Sequence, residues 1–204
     1  QAKKSGFFSY PNKTLTQIPQ ELINFPTLQL PNMTWWEASP LIRLDLSNNQ
    51  LETILADLLL VNPEIISLRV QNNKLINLPP DFFPENCELK SLDLTTNQLK
   101  GLPNSLSLNK SLVEILVPNN ELIEFPNVSS VITLEILQLN NNRLINPPCV
   151  LGLNKLKILN LSNNKLKFLP SNVFQGLNSM EQLILRSNQI PELSPDTFAD
   201  LKKL

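Results

Sequence analysis

The stretch from Leu41 to Leu51, LIRLDLSNNQL, decides the fold, because its pattern L-x-x-L-x-L-x-x-N-x-L does not occur once. It begins again at Ile65, Leu89, Leu112, Leu134, Leu156 and Met180, at spacings of 24, 24, 23, 22, 22 and 24 residues. A period in the twenties marks a solenoid: one repeat cannot bury its own apolar side chains, and stacking on neighbours does it. Position nine is asparagine in every repeat, at Asn49, Asn73, Asn97, Asn120, Asn142, Asn164 and Asn188.

Positions four, six and eleven are aliphatic throughout, as in Leu92, Leu94 and Leu99 or Ile115, Val117 and Leu122. Apolar residues at alternate positions four and six face one side of a short strand, so stacked repeats share a continuous core. Beyond the strand the chain turns and leaves backbone N–H and C=O groups between coils. A buried asparagine, with two donors and an acceptor, satisfies such groups. The asparagine column is therefore expected to form a structural ladder with no catalytic role. Position fourteen is mostly apolar (Ile54, Leu78, Leu102, Phe125, Leu169, Leu193), and Pro79, Pro103, Pro126, Pro148 and Pro170 follow it. Proline fixes φ and removes a donor, which predicts extended or short helical turns on the outer side.

In period and motif the array resembles the leucine-rich repeat family, over about four-fifths of the chain. The resemblance implies an α/β repeat solenoid. Its curved horseshoe would carry a parallel β-sheet on the concave side and an irregular, short-helical convex side. It also implies a non-catalytic protein-binding scaffold. Phe174 and Phe198, in VFQGL and TFADL, look like convex phenylalanines of the longer repeat class.

Residues 41–204 then hold seven repeats, truncated at the start of an eighth, and residues 1–40 form an N-terminal cap. Within the cap, GFFSYPNKTLTQIP (6–19) is a degenerate repeat with Phe8, Tyr10, Leu15 and Ile18 in the apolar columns. Lys13 stands where the asparagine belongs, so the ladder is expected to stop there. Trp35 and Trp36 are read as a lid over the first coil. This combination resembles the start of an intracellular repeat protein of the Ras-suppressor, Shoc and Scribble style, and implies an intracellular module. At the other end no polar unit covers the last coil, so a longer array or packing against a second copy is expected.

Composition narrows the function. Hydrophobic residues at 42% with 17% charged describe a globular chain. A net charge of −1 leaves no footprint for nucleic acid or an anionic membrane. No apolar run approaches the ~18–20 residues of a membrane span; the longest, Ile54 to Val61, is broken by Asp57. Gln1-Ala2-Lys3-Lys4 is followed by no signal-peptide core, and a leader removed before Gln1 is compatible with that. With no histidine, the usual triads and histidine metal sites are unavailable. The four glycines are isolated, which removes a phosphate-cradling loop. No catalytic residue, metal ligand or cofactor is assigned. Cys87 and Cys149 lie three coils apart, at least ~14 Å against a disulfide limit near ~7 Å, and are expected as free, buried or half-buried thiols.

Function is expected on the sheet's solvent face, formed by positions three, five, seven and eight. The first three repeats place mixed charge there, at Arg43, Asp45, Arg69 and Asp93. Later repeats place Leu116, Ile136, Ile158 and Ile184 there, with Gln138 and Arg186 as polar neighbours. A contiguous exposed apolar patch often marks an interaction site. The competing reading is an extracellular ectodomain recognising a ligand. It is favoured by N-x-S/T sequons at Asn12, Asn32, Asn109, Asn127 and Asn160. The absence of a capping cysteine cluster disfavours it.

Overall fold

The computed structural model describes residues 6–18 and 40–204. The expected lid at Trp35 and Trp36 and the sequon at Asn32 lie outside them. Eight three-residue strands form one parallel sheet in sequence order: β1 Phe7–Ser9, β2 Arg43–Asp45, β3 Ser67–Arg69, β4 Ser91–Asp93, β5 Glu114–Leu116, β6 Ile136–Gln138, β7 Ile158–Asn160 and β8 Gln182–Ile184. Each strand covers positions three to five of its repeat, and pairing joins like to like, as in Leu44↔Leu68↔Leu92. β1 pairs with β2 through Phe8↔Leu44, so the degenerate repeat is a full member of the sheet. Among the described residues, helix is confined to α1 (Leu58–Val61) and two 3-10 turns, η1 (Asn104–Leu108) and η2 (Pro195–Phe198). The parallel solenoid expected from the repeat is the observed architecture.

The core runs the length of the stack. Leucines and their equivalents at positions one, four, six and eleven are fully buried from the third coil to the seventh. In the last repeat, Leu183 of β8 and Leu185 just after it are only half-buried. Phe174 and Phe198 stack on the convex side with ring centroids 6.0 Å apart and planes 13° from parallel. Position fourteen is less regular than its sequence column: Ile54, Leu78 and Leu169 are buried, Leu102 and Phe125 half-buried, and Leu193 is exposed.

The asparagine column behaves as a ladder. Asn120 accepts the Leu99 N–H at its Oδ1 (3.0 Å), and its Nδ2 donates to Leu94 O (3.0 Å), Pro118 O (3.1 Å) and Val117 O (3.3 Å). Two of those partners belong to its own coil and two to the coil before it. Asn73, Asn97, Asn142, Asn164 and Asn188 repeat the arrangement. Asn49 reaches back to the degenerate coil, accepting from Lys13 N and Leu15 N and donating to Tyr10 O. Lys13 sends no rung further back; its ammonium lies 5.8 Å from the centroid of the Tyr10 ring.

A second column, at position eight, is set by backbone conformation. Asn12, Asn48, Asn72, Thr96, Asn119, Asn141, Asn163 and Ser187 all hold φ between 54° and 57°, the left-handed region where asparagine is tolerated and a β-branched residue is strained. Several of these exposed side chains also bond between coils, as in Asn72 Nδ2 to Asn48 Oδ1 at 2.8 Å and Asn141 Nδ2 to Asn119 Oδ1 at 2.7 Å.

These two columns respond oppositely to substitution. Asn120→Ala strands the Leu99 N–H in the core, while the Leu94 carbonyl keeps Asn97 Nδ2, and is expected to cost about 1–3 kcal/mol. Thr96→Asn relieves a β-branched residue at positive φ and is expected to gain up to about 1 kcal/mol. Urea unfolding of both variants checks this; a neutral Asn120→Ala would remove the ladder from the stability argument.

Candidate functional site

The sheet's solvent face is narrower than the alternation implies. Positions three and five are exposed or half-buried throughout, whereas position seven is mixed: Ser47, Pro118 and Ser162 are buried and Gln71, Thr95 and Asn140 half-buried. Only Arg186 of that column is exposed. The expected outward column at position seven is thereby corrected.

The charged half comes together across β2 to β4. Register places Arg69 between Asp45 and Asp93. No ion pair forms; among the described residues the two ion pairs are Arg143–Glu121 and Lys157–Glu135. Each aspartate is instead engaged with its own backbone: Asp45 Oδ1 accepts from Ser47 N and Asp93 Oδ1 from Thr95 N, both at 3.0 Å. Such side-chain-to-backbone bonds end a strand locally. Asn160 does the same for β7, accepting from Ser162 N at 3.1 Å. These position-five side chains thus serve the fold with one oxygen and face solvent with the rest. A depression of about 430 Å³ opens here, with Arg43, Arg69 and Lys90 as its cations and Asp45, Ser67 and Ser91 among its polar walls. Ser91 Oγ donates to Glu114 Oε2 at 2.8 Å.

The apolar half is less continuous than its members' positions imply. Ile136 and Ile158 stand directly opposite each other in β6 and β7. Leu116 pairs with Gln138, and Ile184 with Asn160, so each meets the isoleucine pair only diagonally. All four are half-buried, each partly covered by its neighbours. At the rim, Lys157 donates to Glu135 Oε2 at 2.6 Å, which holds its ammonium pKa above the ordinary value.

One committed side chain was not legible as such. Asn109, read as a sequon, is fully buried; it donates to Leu89 O (3.1 Å) and Cys87 Sγ (3.5 Å) and accepts from Ser111 N (3.0 Å). Equivalent positions three residues before a repeat hold Val131, Leu153 and Leu177, and that column was the available signal. Cys87 is buried and Cys149 exposed, both as free thiols, so the expectation of a half-buried Cys149 is corrected. Among the described residues no group of side chains can hold a metal ion, and no helix is long and apolar enough to cross a membrane.

Two family models described as leucine rich repeat match the chain, one over residues 132–190 and 154–204 and the other over 40–60. With the sheet and ladder above, these matches support a leucine-rich-repeat protein. Solved structures agree. A leucine-rich-repeat protein of Leptospira interrogans is 27% identical at a TM-score of 0.65, covering 97% of this chain and 52% of its own. The plant peptide hormone receptor RGFR1, in complex with RGF2, is 28% identical at 0.68, covering 80% and 27%. Toll, from the Drosophila Toll–Spatzle complex, is 22% identical at 0.80, covering 97% and 26%, and shares the fold alone. The chain thus spans about half of the first and about a quarter of the two receptors. Comparison with curated proteins finds no match. The repeat class is typically one of interaction modules.

The thiols offer a check on burial. Desolvation, with a smaller push from Glu88 and a backbone hydrogen bond at Leu89 opposing, raises the Cys87 pKa. The folded chain therefore holds that proton more tightly than the unfolded chain. Its stabilising share is complete below the ordinary thiol range and is lost as pH rises past it. Iodoacetamide at neutral pH is expected to label Cys149 in the native protein and Cys87 only after unfolding, read by mass spectrometry. Equal native labelling of both would contradict the burial of Cys87.

Proposed function

We propose that the chain is a non-catalytic scaffold that binds a protein partner on the solvent face of its sheet. The observation that carries this reading is the directly opposed Ile136–Ile158 pair, flanked by Leu116 and Ile184 and backed by the charged depression at Arg43 and Arg69. Apolar side chains half-covered by one another lose their remaining exposure when a partner docks, at about 25 cal/mol per Å². Mixed charge beside them sets orientation more than affinity. No reaction is assigned: histidine is absent, Asp45 and Asp93 are bonded to backbone, and Glu114 to the Ser91 hydroxyl.

The setting we propose is intracellular. The degenerate first repeat and the W-W-E segment resemble the start of leucine-rich-repeat-containing protein forty, and the buried Asn109 amide leaves no room for a glycan on the folded chain. The second reading, an extracellular ectodomain, draws on the exposed sequons at Asn12 and Asn127 and on the receptors among the structural neighbours.

The double variant Ile136→Thr/Ile158→Thr keeps β-branching on both strands while removing apolar surface. Quantitative affinity capture with natural-length protein is expected to lose a defined set of partners at least about tenfold, with a melting point within a few degrees of the parent. An unchanged partner set would refute the sheet-face reading. A mass shift of the natural protein on treatment with peptide-N-glycosidase would move it to the extracellular reading.

A further inference from the structure

The largest depression among those described does not lie on the sheet face. It opens on the far side of the third and fourth coils, with a volume of about 900 Å³. Its apolar lining is Leu78, which is buried, Leu102, half-buried, and Leu108 on η1, 39% exposed, together with Pro80 and Pro103. Its charge is of one sign, since Asp81 and Glu124 line it and no basic side chain does. Neither carboxylate has an ion-pair partner among the described residues.

A glycine opens this groove without being required by the backbone. Position thirteen carries a side chain in every other repeat, namely Thr53, Asn77, Glu124, Asn146, Phe168 and Glu192, and in the third it is Gly101. Its φ is outside the left-handed region, and a Cβ built on it meets nothing within 4 Å. The conformational permissiveness that usually selects glycine is therefore unused here. What the glycine does provide is space.

The walls are rigid. Pro80 and Pro103 fix the backbone and donate no hydrogen bond, and Ser105 ties the two coils together, its Oγ donating to Pro80 O at 2.6 Å and accepting from Phe83 N at 3.5 Å. The exposed amides of Asn77 and Asn104, both lining the groove, make no side-chain hydrogen bond among the described residues. A side-chain amide can both donate to and accept from an extended peptide backbone.

We propose that this convex groove binds an extended segment of a protein partner in which a basic side chain stands beside apolar ones. The apolar residues pack on Leu102 and Leu108, the cation sits between Asp81 and Glu124, and the amides hold the segment's backbone. A preformed wall limits the ordering cost to the incoming segment. The site is separate from the sheet face and does not depend on it.

Fluorescence polarisation tests this with a short labelled proline-leucine peptide carrying a central arginine, against the same peptide with glutamate in its place. The arginine peptide is expected to bind and the glutamate peptide not. Gly101→Trp fills open space, so it is expected to keep the melting point and weaken binding at least about tenfold. Asp81→Lys/Glu124→Lys is expected to transfer the preference to the glutamate peptide, and decides the matter alone if the tryptophan variant does not fold. The Ile136→Thr/Ile158→Thr variant is expected to bind the arginine peptide as the parent does, which separates this site from the sheet-face scaffold. Absence of binding, equal binding of both peptides, undiminished binding by folded Gly101→Trp, or loss on the sheet-face variant would each overturn the groove.

Discussion

A parallel stack of three-residue strands has a polar problem at its turning edge, and one buried amide per coil resolves it. Each position-nine asparagine ties a backbone N–H and a carbonyl of the preceding coil to carbonyls of its own. The side chain is nearly covered, at 7–8% exposure from Asn49 to Asn164, so its bonds form in a low-dielectric surround where an unpaired group is costly. Glutamine is too long for this distance and aspartate lacks the donors, so chemistry and geometry together leave little freedom at the position. The aliphatic columns can only meet because this edge is closed.

That economy explains how far the sequence could be read. Positions four, six, nine and eleven are constrained by burial from the first full repeat to the sixth, so their periodicity announces sheet, core and ladder at once. Position seven is different. Strand alternation places it outward, yet Ser47 and Ser162 are buried while Arg186 is exposed. The position-eight signal was visible as a run of asparagines, but its meaning is conformational, and conformation does not show in a polarity pattern. Asn109 illustrates the reverse case: a sequon is a local motif, while burial is decided by the coils on either side. The candidate surface was legible by column and not by register, since only the pairing shows Ile136 facing Ile158 while Leu116 faces Gln138.

The architecture separates what is fixed from what is free. Core columns cannot vary without loss of stability, whereas positions three and five on one side, and twelve and thirteen on the other, carry different residues from coil to coil at little structural cost. Two surfaces of opposite character result. The sheet face offers half-covered isoleucines and paired-off carboxylates, and the convex groove between the third and fourth coils offers open leucines with unpaired carboxylates. The glycine at position 101 fits this freedom, being a departure in a column where nothing about the backbone demands one.

The amide rungs also have a direction. Every position-nine side chain reaches toward lower residue numbers, so a coil is fastened by the one that follows it in the chain, as Leu15 N is by Asn49 and Leu144 N by Asn164. Synthesis delivers coils in that same order, N-terminal first. A coil leaving the ribosome therefore holds its leucines against its predecessor but waits for one further repeat before its own backbone is locked, which makes assembly a ratchet advancing one repeat behind translation.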